Sequence, residues 1–370
     1  MTELSCAQPI SDAAVDSIDS RSVRPSPVRV LMVIAPVAGT SEPPVWAQRQ
    51  IASLREIGVE VATYVFRGRR SIRGLLAGGR ALRRKAQEFQ ADVVHVHYGA
   101  AQALAAVLFS DKPVVVSFCG SDLLGNYTPS GCRTWSGWLS RLLSQLASLG
   151  CCWSIAKSEE LRQSLWFARA RRRCDVIPNG VDLELFRPYP QEVARMAVGW
   201  SHSDPVVLFM DRQGAWVKDP QLAHAAYMEA RQAIPSLRMH ILENEAPERM
   251  GLFYNAADAL LLTSRHEGSN NTVKEALACN LPIVATKCGD VADRLRGVQG
   301  CHVCSRDPRE LGLRISQVVG IRMRSNGRRM IQDLALERVA GLVVECYNRA
   351  AKTASGTTTT DMGEHHDRGH

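Results

Sequence analysis

Ser264-Arg265-His266-Glu267-Gly268-Ser269-Asn270-Asn271-Thr272-Val273-Lys274-Glu275-Ala276 carries two carboxylates eight positions apart, Glu267 and Glu275. The apolar run 259–262 leads into Thr263 and Ser264, small polar residues follow, and helical spacing covers residues 272–278. That order predicts strand, loop and helix. A helix N-terminus presents unpaired backbone N–H groups and the positive end of its dipole, so Gly268, Ser269, Asn270, Asn271 and Thr272 form a cradle for a diphosphate. Glu267 falls in the loop and Glu275 one turn inside the helix. A carboxylate accepts hydrogen bonds from vicinal hydroxyls, so one can hold a sugar and the other a ribose, on opposite sides of an anchored pyrophosphate.

Working outward, the same strand and helix alternation fills the chain. Strands are predicted at 28–35, 60–66, 92–97 and 113–118, with helical spacing at 46–57 ahead of Gly58 and a basic helical stretch after the second strand. A second series follows at 204–210, 238–242, 259–263 and 282–286. Runs that are apolar on both faces and separated by helices imply parallel sheets in doubly wound α/β domains. Between the two series lies Asp175-Val176-Ile177-Pro178-Asn179-Gly180-Val181-Asp182, then Phe186-Arg187-Pro188, a strand entering a turn fixed by Pro, Asn and Gly. A chain of 370 residues exceeds one ordinary core, which agrees with two domains.

These residues carry a resemblance. The Glu267 and Glu275 pair, the strand Asn280-Leu281-Pro282-Ile283-Val284-Ala285-Thr286 with Gly289-Asp290 after it, and the phrase at 175–188 resemble the retaining glycosyltransferases of family 4. The resemblance covers about residues 28–350 and is densest in the second half. It implies the GT-B architecture, two doubly wound Rossmann-like domains facing a central cleft. The expected divisions are a disordered N-terminus at 1–27, an acceptor-binding domain at 28–176 and a nucleotide-sugar-binding domain at 177–331. A helix at 332–350 crosses back to the first domain, and 351–370 is a disordered tail.

By that resemblance Glu267 holds hydroxyls of the transferred sugar and Glu275 those of the ribose. Arg212 and Lys218 stand where relatives direct an Arg and Lys pair at the pyrophosphate, and such cations stabilise the departing charge without a metal. The chain departs from the pattern there: Asp211 replaces a frequent Gly, and the Arg-to-Lys spacing is six rather than five. On the acceptor side the resemblance points to Gly39 and Thr40 after the first strand, and to Cys119, Gly120 and Asp122 after the fourth. Many relatives have His where this chain has Cys119, and a thiol does not replace an imidazole as a proton carrier at neutral pH. His95 and His97, at a strand end, are further cleft candidates.

The implied activity is transfer of a hexose or N-acetylhexosamine, with retention, from a nucleoside diphosphate sugar (UDP or GDP) to a saccharide. The acceptor is expected to be lipid-linked and to serve surface polysaccharide biosynthesis, with no metal or other cofactor. A catalytically silent nucleotide-sugar-binding protein and a nucleotide-sugar epimerase are the alternatives.

The formal charge of +8 gathers in the first half, at Arg67, Arg69, Arg70, Arg73, Arg80, Arg83, Arg84 and Lys85, and again at Arg169, Arg171, Arg172 and Arg173. No nucleic-acid-binding pattern accompanies them, so an anionic membrane surface is the preferred partner and nucleic acid is not expected. Trp135, Trp138, Leu139, Leu142, Leu143 and Leu146 lie at helical spacing beside Arg133 and Arg141, as on an interfacial helix or on a core helix with a solvated rim. No apolar run reaches the roughly 20 residues that span a bilayer, and 1–28 does not read as a secretory signal. The expected location is cytoplasmic, at most peripheral on the inner face of the plasma membrane. Eleven cysteines, an odd number, fit reduced thiols, and Cys301-His302-Val303-Cys304 is read as structural.

Overall fold

The computed structural model describes residues 28–35, 44–67, 71–128, 130–211, 216–243 and 245–356. Its first sheet contains β1 (Arg29–Ile34), β2 (Glu60–Val65), β3 (Val93–His97), β4 (Val114–Phe118), β5 (Trp153–Ala156) and β6 (Cys174–Val176) in the order β2-β1-β3-β4-β5-β6. The second contains β7 (Val206–Met210), β8 (Arg238–Leu242), β9 (Ala259–Leu262), β10 (Ile283–Thr286) and β11 (His302–Cys304) in the order β11-β10-β9-β7-β8. All pairings are parallel. β3, β4, β9 and β10 are buried along their whole length, the consequence of helices on both faces. The sequence pattern did not mark β5 and β11, whose four and three residues are too few for periodicity to register.

The inner faces of both sheets share one apolar cluster, running from Val30 and Met32 through Ile177, Val181 and Phe186 to Leu208 and Ile283. The helix Leu336–Ala354 closes it from behind and reaches the first sheet. There the Tyr347 hydroxyl sits 2.7 Å from His95 Nδ1, and Arg349 pairs with Asp175 at 2.7 Å. The connecting segment is held from the second half, where Arg328 donates to the carbonyls of Phe186 at 2.7 Å and Leu183 at 2.8 Å. A half-buried guanidinium that satisfies loop carbonyls fixes the loop's path.

The helix Trp135–Gly150 keeps most of its apolar stripe out of the core. Thr134 caps it by accepting from the Gly137 N–H at 3.0 Å. The face turned inward carries Gly137, Ser144, Gln145, Ala147 and Ser148. Ser144 Oγ accepts from the Ala100 N–H at 2.8 Å, and Gln145 bridges the Ser164 carbonyl and the Trp166 N–H at 3.0 and 2.9 Å. Its small and amide residues satisfy backbone groups, Leu142 and Leu143 are half-buried, and the rest of the apolar stripe points outward. Trp135 and Trp138 stack with centroids 5.2 Å apart while 76% and 43% exposed, and Leu139, Leu146 and Leu149 are exposed beside them. No helix among the described residues is long and apolar enough to cross a membrane.

Candidate active site

The site begins where β9 ends. Thr263 Oγ1 donates to the Lys218 and Asp219 carbonyls at 2.7 and 3.1 Å, and the Arg265 N–H donates to the Val217 carbonyl at 2.8 Å. These bonds fasten the short 3-10 turn Trp216–Lys218 to the second sheet. Asp219, at φ 52°, caps the helix Pro220–Ala233 and pairs with Arg265 at 2.7 Å and with Arg306. Lys218 Nζ is thereby brought 2.5 Å from Glu267 Oε1, which also accepts from Ser264 Oγ at 3.0 Å. One cation and one carboxylate thus stand at the foot of the cradle.

The helix predicted from the opening sequence runs Asn271–Ala278, and no side chain caps it. Its first N–H groups are left to solvent or to a ligand, as a diphosphate cradle requires. Lys274, one turn in, points beneath the loop and donates to Ser269 Oγ at 2.8 Å and to the Asn179 carbonyl at 2.9 Å. Ser269 Oγ donates in turn to Asp290 at 2.7 Å. Burial of the Lys274 ammonium pulls its pKa down to about 7. The loop is therefore tied to the segment that joins the two halves.

Glu275 lies on the same helix with both oxygens engaged. Oε1 accepts from Arg49 Nη1 at 2.8 Å, across the cleft, and Oε2 from the Tyr254 hydroxyl at 3.1 Å. Burial raises the Glu275 carboxyl above its usual range, and Arg49 and Tyr254 oppose that rise.

Three spaces adjoin along the cleft. The first, about 800 Å³, is lined by Trp46, Arg49, Glu245, Met250, Thr272 and Glu275. The second, about 740 Å³, is lined by Lys218, Glu267 and residues 269–272, and includes Asp211. The third, also about 740 Å³, lies between Cys119, Gly120, Asn126 and Tyr127 of the first half and His266, Glu267 and Gly268 of the second. The two halves touch at its edge. A Cβ on Gly268 would lie 2.1 Å from the Cys119 carbonyl oxygen, so only glycine permits that approach.

Glu267, Gly268, Ser269, Asn270, Asn271, Thr272, Glu275 and Lys218 are thus brought together, with Cys119 and Gly120 opposite. Asp122 and His97 are placed elsewhere. The Asp122 carboxylate accepts from the N–H groups of Gly99, Gly120 and Cys119 at 2.8, 2.7 and 3.1 Å, so it knits its own loop and has nothing left for a ligand. His97 is fully buried, its ring 5.1 Å from Trp46 and 4.6 Å from His95, because its strand is covered on both faces. Burial lowers its pKa well below the ordinary value. Cys119 does line the cleft, but burial pushes its thiol up to about 12, which keeps it protonated. Gly39, Thr40 and Arg212 lie outside the described residues.

Several lining residues carried no sequence signal. Tyr127 and His266 line the third space with ring centroids 5.0 Å apart, Trp216 stacks on Tyr127 at 5.2 Å, and the three lie far apart in the chain. Arg49 also lines the cleft, from a helix whose sequence shows no sign of it. Among the described residues no three His, Cys, Asp or Glu side chains converge as metal ligands, and Cys301 Sγ accepts from the Ile283 N–H at 3.3 Å.

Residues 28–185 match the family model described as Glycosyltransferase Family 4, and residues 219–320 match that of Glycosyl transferases group 1. The chain belongs to the family 4, group 1 glycosyltransferases. Within that family it is 29% identical to a D-inositol 3-phosphate glycosyltransferase of Segniliparus rotundus over 36% of this chain and 37% of the relative. The chain spans less than half the length of the first curated relatives it matches. Solved structures agree with the GT-B fold of the family. Sucrose-phosphate synthase from Thermosynechococcus elongatus superposes with a TM-score of 0.68 at 15% identity, over 87% of this chain and 98% of that one. Anabaena HepE, solved with UDP and glucose, gives 0.60 at 17% identity, over 89% and 100%.

Proposed function

We propose that this family member is a retaining glycosyltransferase that moves a hexose or N-acetylhexosamine from a nucleoside diphosphate sugar to a hydroxyl of a saccharide. The observation that carries the reading is the Lys218 and Glu267 pair at 2.5 Å beside the uncapped N-terminus of Asn271–Ala278. The cradle takes the diphosphate on backbone N–H groups, with Lys218 answering the charge that develops as it leaves. Arg212 is assigned beside Lys218 by its place in the family pattern. Glu267 takes sugar hydroxyls, and Glu275, in the neighbouring 800 Å³ space, takes the ribose. UDP is the first donor to try, since HepE was solved with UDP and glucose.

In the reaction the bond between the anomeric carbon and the leaving phosphate oxygen breaks, and a bond to the acceptor oxygen forms on the same face. The acceptor proton passes to the leaving phosphate oxygen. No protein nucleophile is needed. The protonated Cys119 thiol is consistent with such a route, in which the first half supplies shape rather than a base. The test is turnover of UDP- and GDP-sugars with saccharide acceptors, the product's anomeric configuration being read by NMR. A product of inverted configuration overturns the mechanism.

The acceptor is assigned as lipid-linked, on the evidence of the outward apolar stripe of Trp135–Gly150. Exposed Arg169 and Arg172 and partly exposed Arg171 lie near it, and Arg141 stacks on Trp166, itself 45% exposed. Stacked tryptophans with arginines suit an anionic bilayer interface. Trp135→Ser with Trp138→Ser should abolish sedimentation with phosphatidylglycerol vesicles while leaving the melting temperature unchanged. Equal sedimentation of variant and wild type contradicts the membrane assignment.

A further inference from the structure

Arg49 is a first-domain side chain at a second-domain carboxylate, 226 residues away in sequence. It sits on the helix Val45–Glu56, five residues into it, and lines the 800 Å³ space with Trp46. Its guanidinium lies over the Phe186 ring, 5.3 Å from the centroid, on the segment that joins the halves. Arg49 and Glu275 are only 18% and 12% exposed, so the pair is shielded from the screening that weakens surface ion pairs. The groups facing Glu275 are Arg49 from the first half, Tyr254 from Pro247–Ala256, and Lys274 and Cys279 at its own helix. Tyr254 and Lys274 remain if Arg49 is removed, but the Lys274 ammonium is committed to Ser269 and Asn179.

We propose that Arg49 is a positioning residue for the donor nucleotide: it holds the Glu275 carboxylate at the wall of the nucleotide space, so the donor site is completed only where the two halves meet. The inference rests on the reading of Glu275 as the ribose ligand. A ribose hydroxyl approaching Glu275 then donates to an oxygen whose remaining lone pairs are oriented by the bond to Arg49. Because the anchor belongs to the opposite half, nucleotide binding and apposition of the halves stabilise each other.

The test follows from what burial does to a carboxyl without a cation. Burial already raises the Glu275 pKa, and Arg49 is the first opposing influence. In Arg49→Ala the carboxyl takes up a proton at higher pH than in wild type, so nucleotide affinity in the variant recovers as pH rises. Affinity for UDP, GDP, ADP and dTDP is measured by calorimetry on wild type, Arg49→Ala, Arg49→Lys, Glu275→Gln and the Arg49→Ala/Glu275→Gln double variant. The expected loss in Arg49→Ala is about tenfold or more near pH 6 and smaller near pH 9, with Arg49→Lys close to wild type. In the Glu275→Gln background the Arg49 change should add little, the signature of action through Glu275. A loss independent of pH, or fully additive in the double variant, overturns the proposal. If Glu275→Gln itself binds like wild type, the ribose assignment fails instead. If Glu275→Gln weakens binding and Arg49→Ala does not, the assignment stands and the role of Arg49 is refuted. Melting temperatures confirm that each variant is folded, and Arg49→Lys keeps the test open if the alanine variant is not.

Discussion

On the second-domain wall of the cleft, Glu267 is answered by Lys218 at 2.5 Å and Glu275 by Arg49 at 2.8 Å. On the first-domain wall, the one carboxylate of the Cys119 loop, Asp122, is committed to backbone N–H groups, and the one thiol is held neutral by burial. Glu267 and Glu275 thus face charged partners, one of which, Arg49, reaches across from the first half, whereas the Cys119 loop spends its carboxylate on its own backbone. Polar side chains of similar chemistry thus do different work according to whether their partners are backbone N–H groups or charged side chains. The proposed retaining route, which needs no enzymic base, fits this division, with Lys218 answering charge on one side of the cleft and the Cys119 loop giving shape on the other.

The division can be broken most severely at Lys218. Lys218→Ala removes the one described cation placed at Glu267, and kcat should fall by about a hundredfold to a thousandfold, the usual cost of losing one electrostatic contact to a leaving group. Steady-state kinetics check this, and a loss under tenfold would assign the charge stabilisation elsewhere. Asp122→Asn attacks the other wall. It replaces a carboxyl that accepts from three buried N–H groups and should lower stability by about 1–3 kcal/mol in urea unfolding, with nucleotide affinity nearly unchanged. Loss of nucleotide binding at full stability would instead put Asp122 in the donor site. Cys119→Ser should have the smallest effect. With its pKa at about 12 the thiol stays protonated at any pH below that value, so the rate profile across neutral pH should be that of wild type. A limb of the profile that disappears in the serine variant would reveal a titrating thiol.

The same contrast explains what the sequence made legible. β1, β3, β4, β9 and β10 were readable because strands buried on both faces are predominantly apolar. The architecture of the loop proposed to take the donor was readable because it is local: strand, small polar loop and helix N-terminus follow one another in the chain. The first wall was not. Asp122 and a cleft carboxylate look alike in sequence, and only the approach of Gly99 at 2.8 Å and Gly120 at 2.7 Å separates them. His97 carried a residue type suited to chemistry in a strand position that the fold buries. Arg49 depends on a contact between domains that no local pattern encodes. For Trp135–Gly150 periodicity revealed the stripe but not its direction, which was set by Ser144 and Gln145 finding backbone partners inside.

The most direct test of the donor site is calorimetric titration of wild type and Glu275→Gln with UDP, GDP, ADP and dTDP under identical conditions. One base should bind wild type, and the variant should bind it about 1.5–3 kcal/mol more weakly, the worth of a hydrogen bond to a charged group. Equal affinity for wild type and variant would contradict the placement of the donor nucleotide between Glu275 and the cradle at residues 268–272.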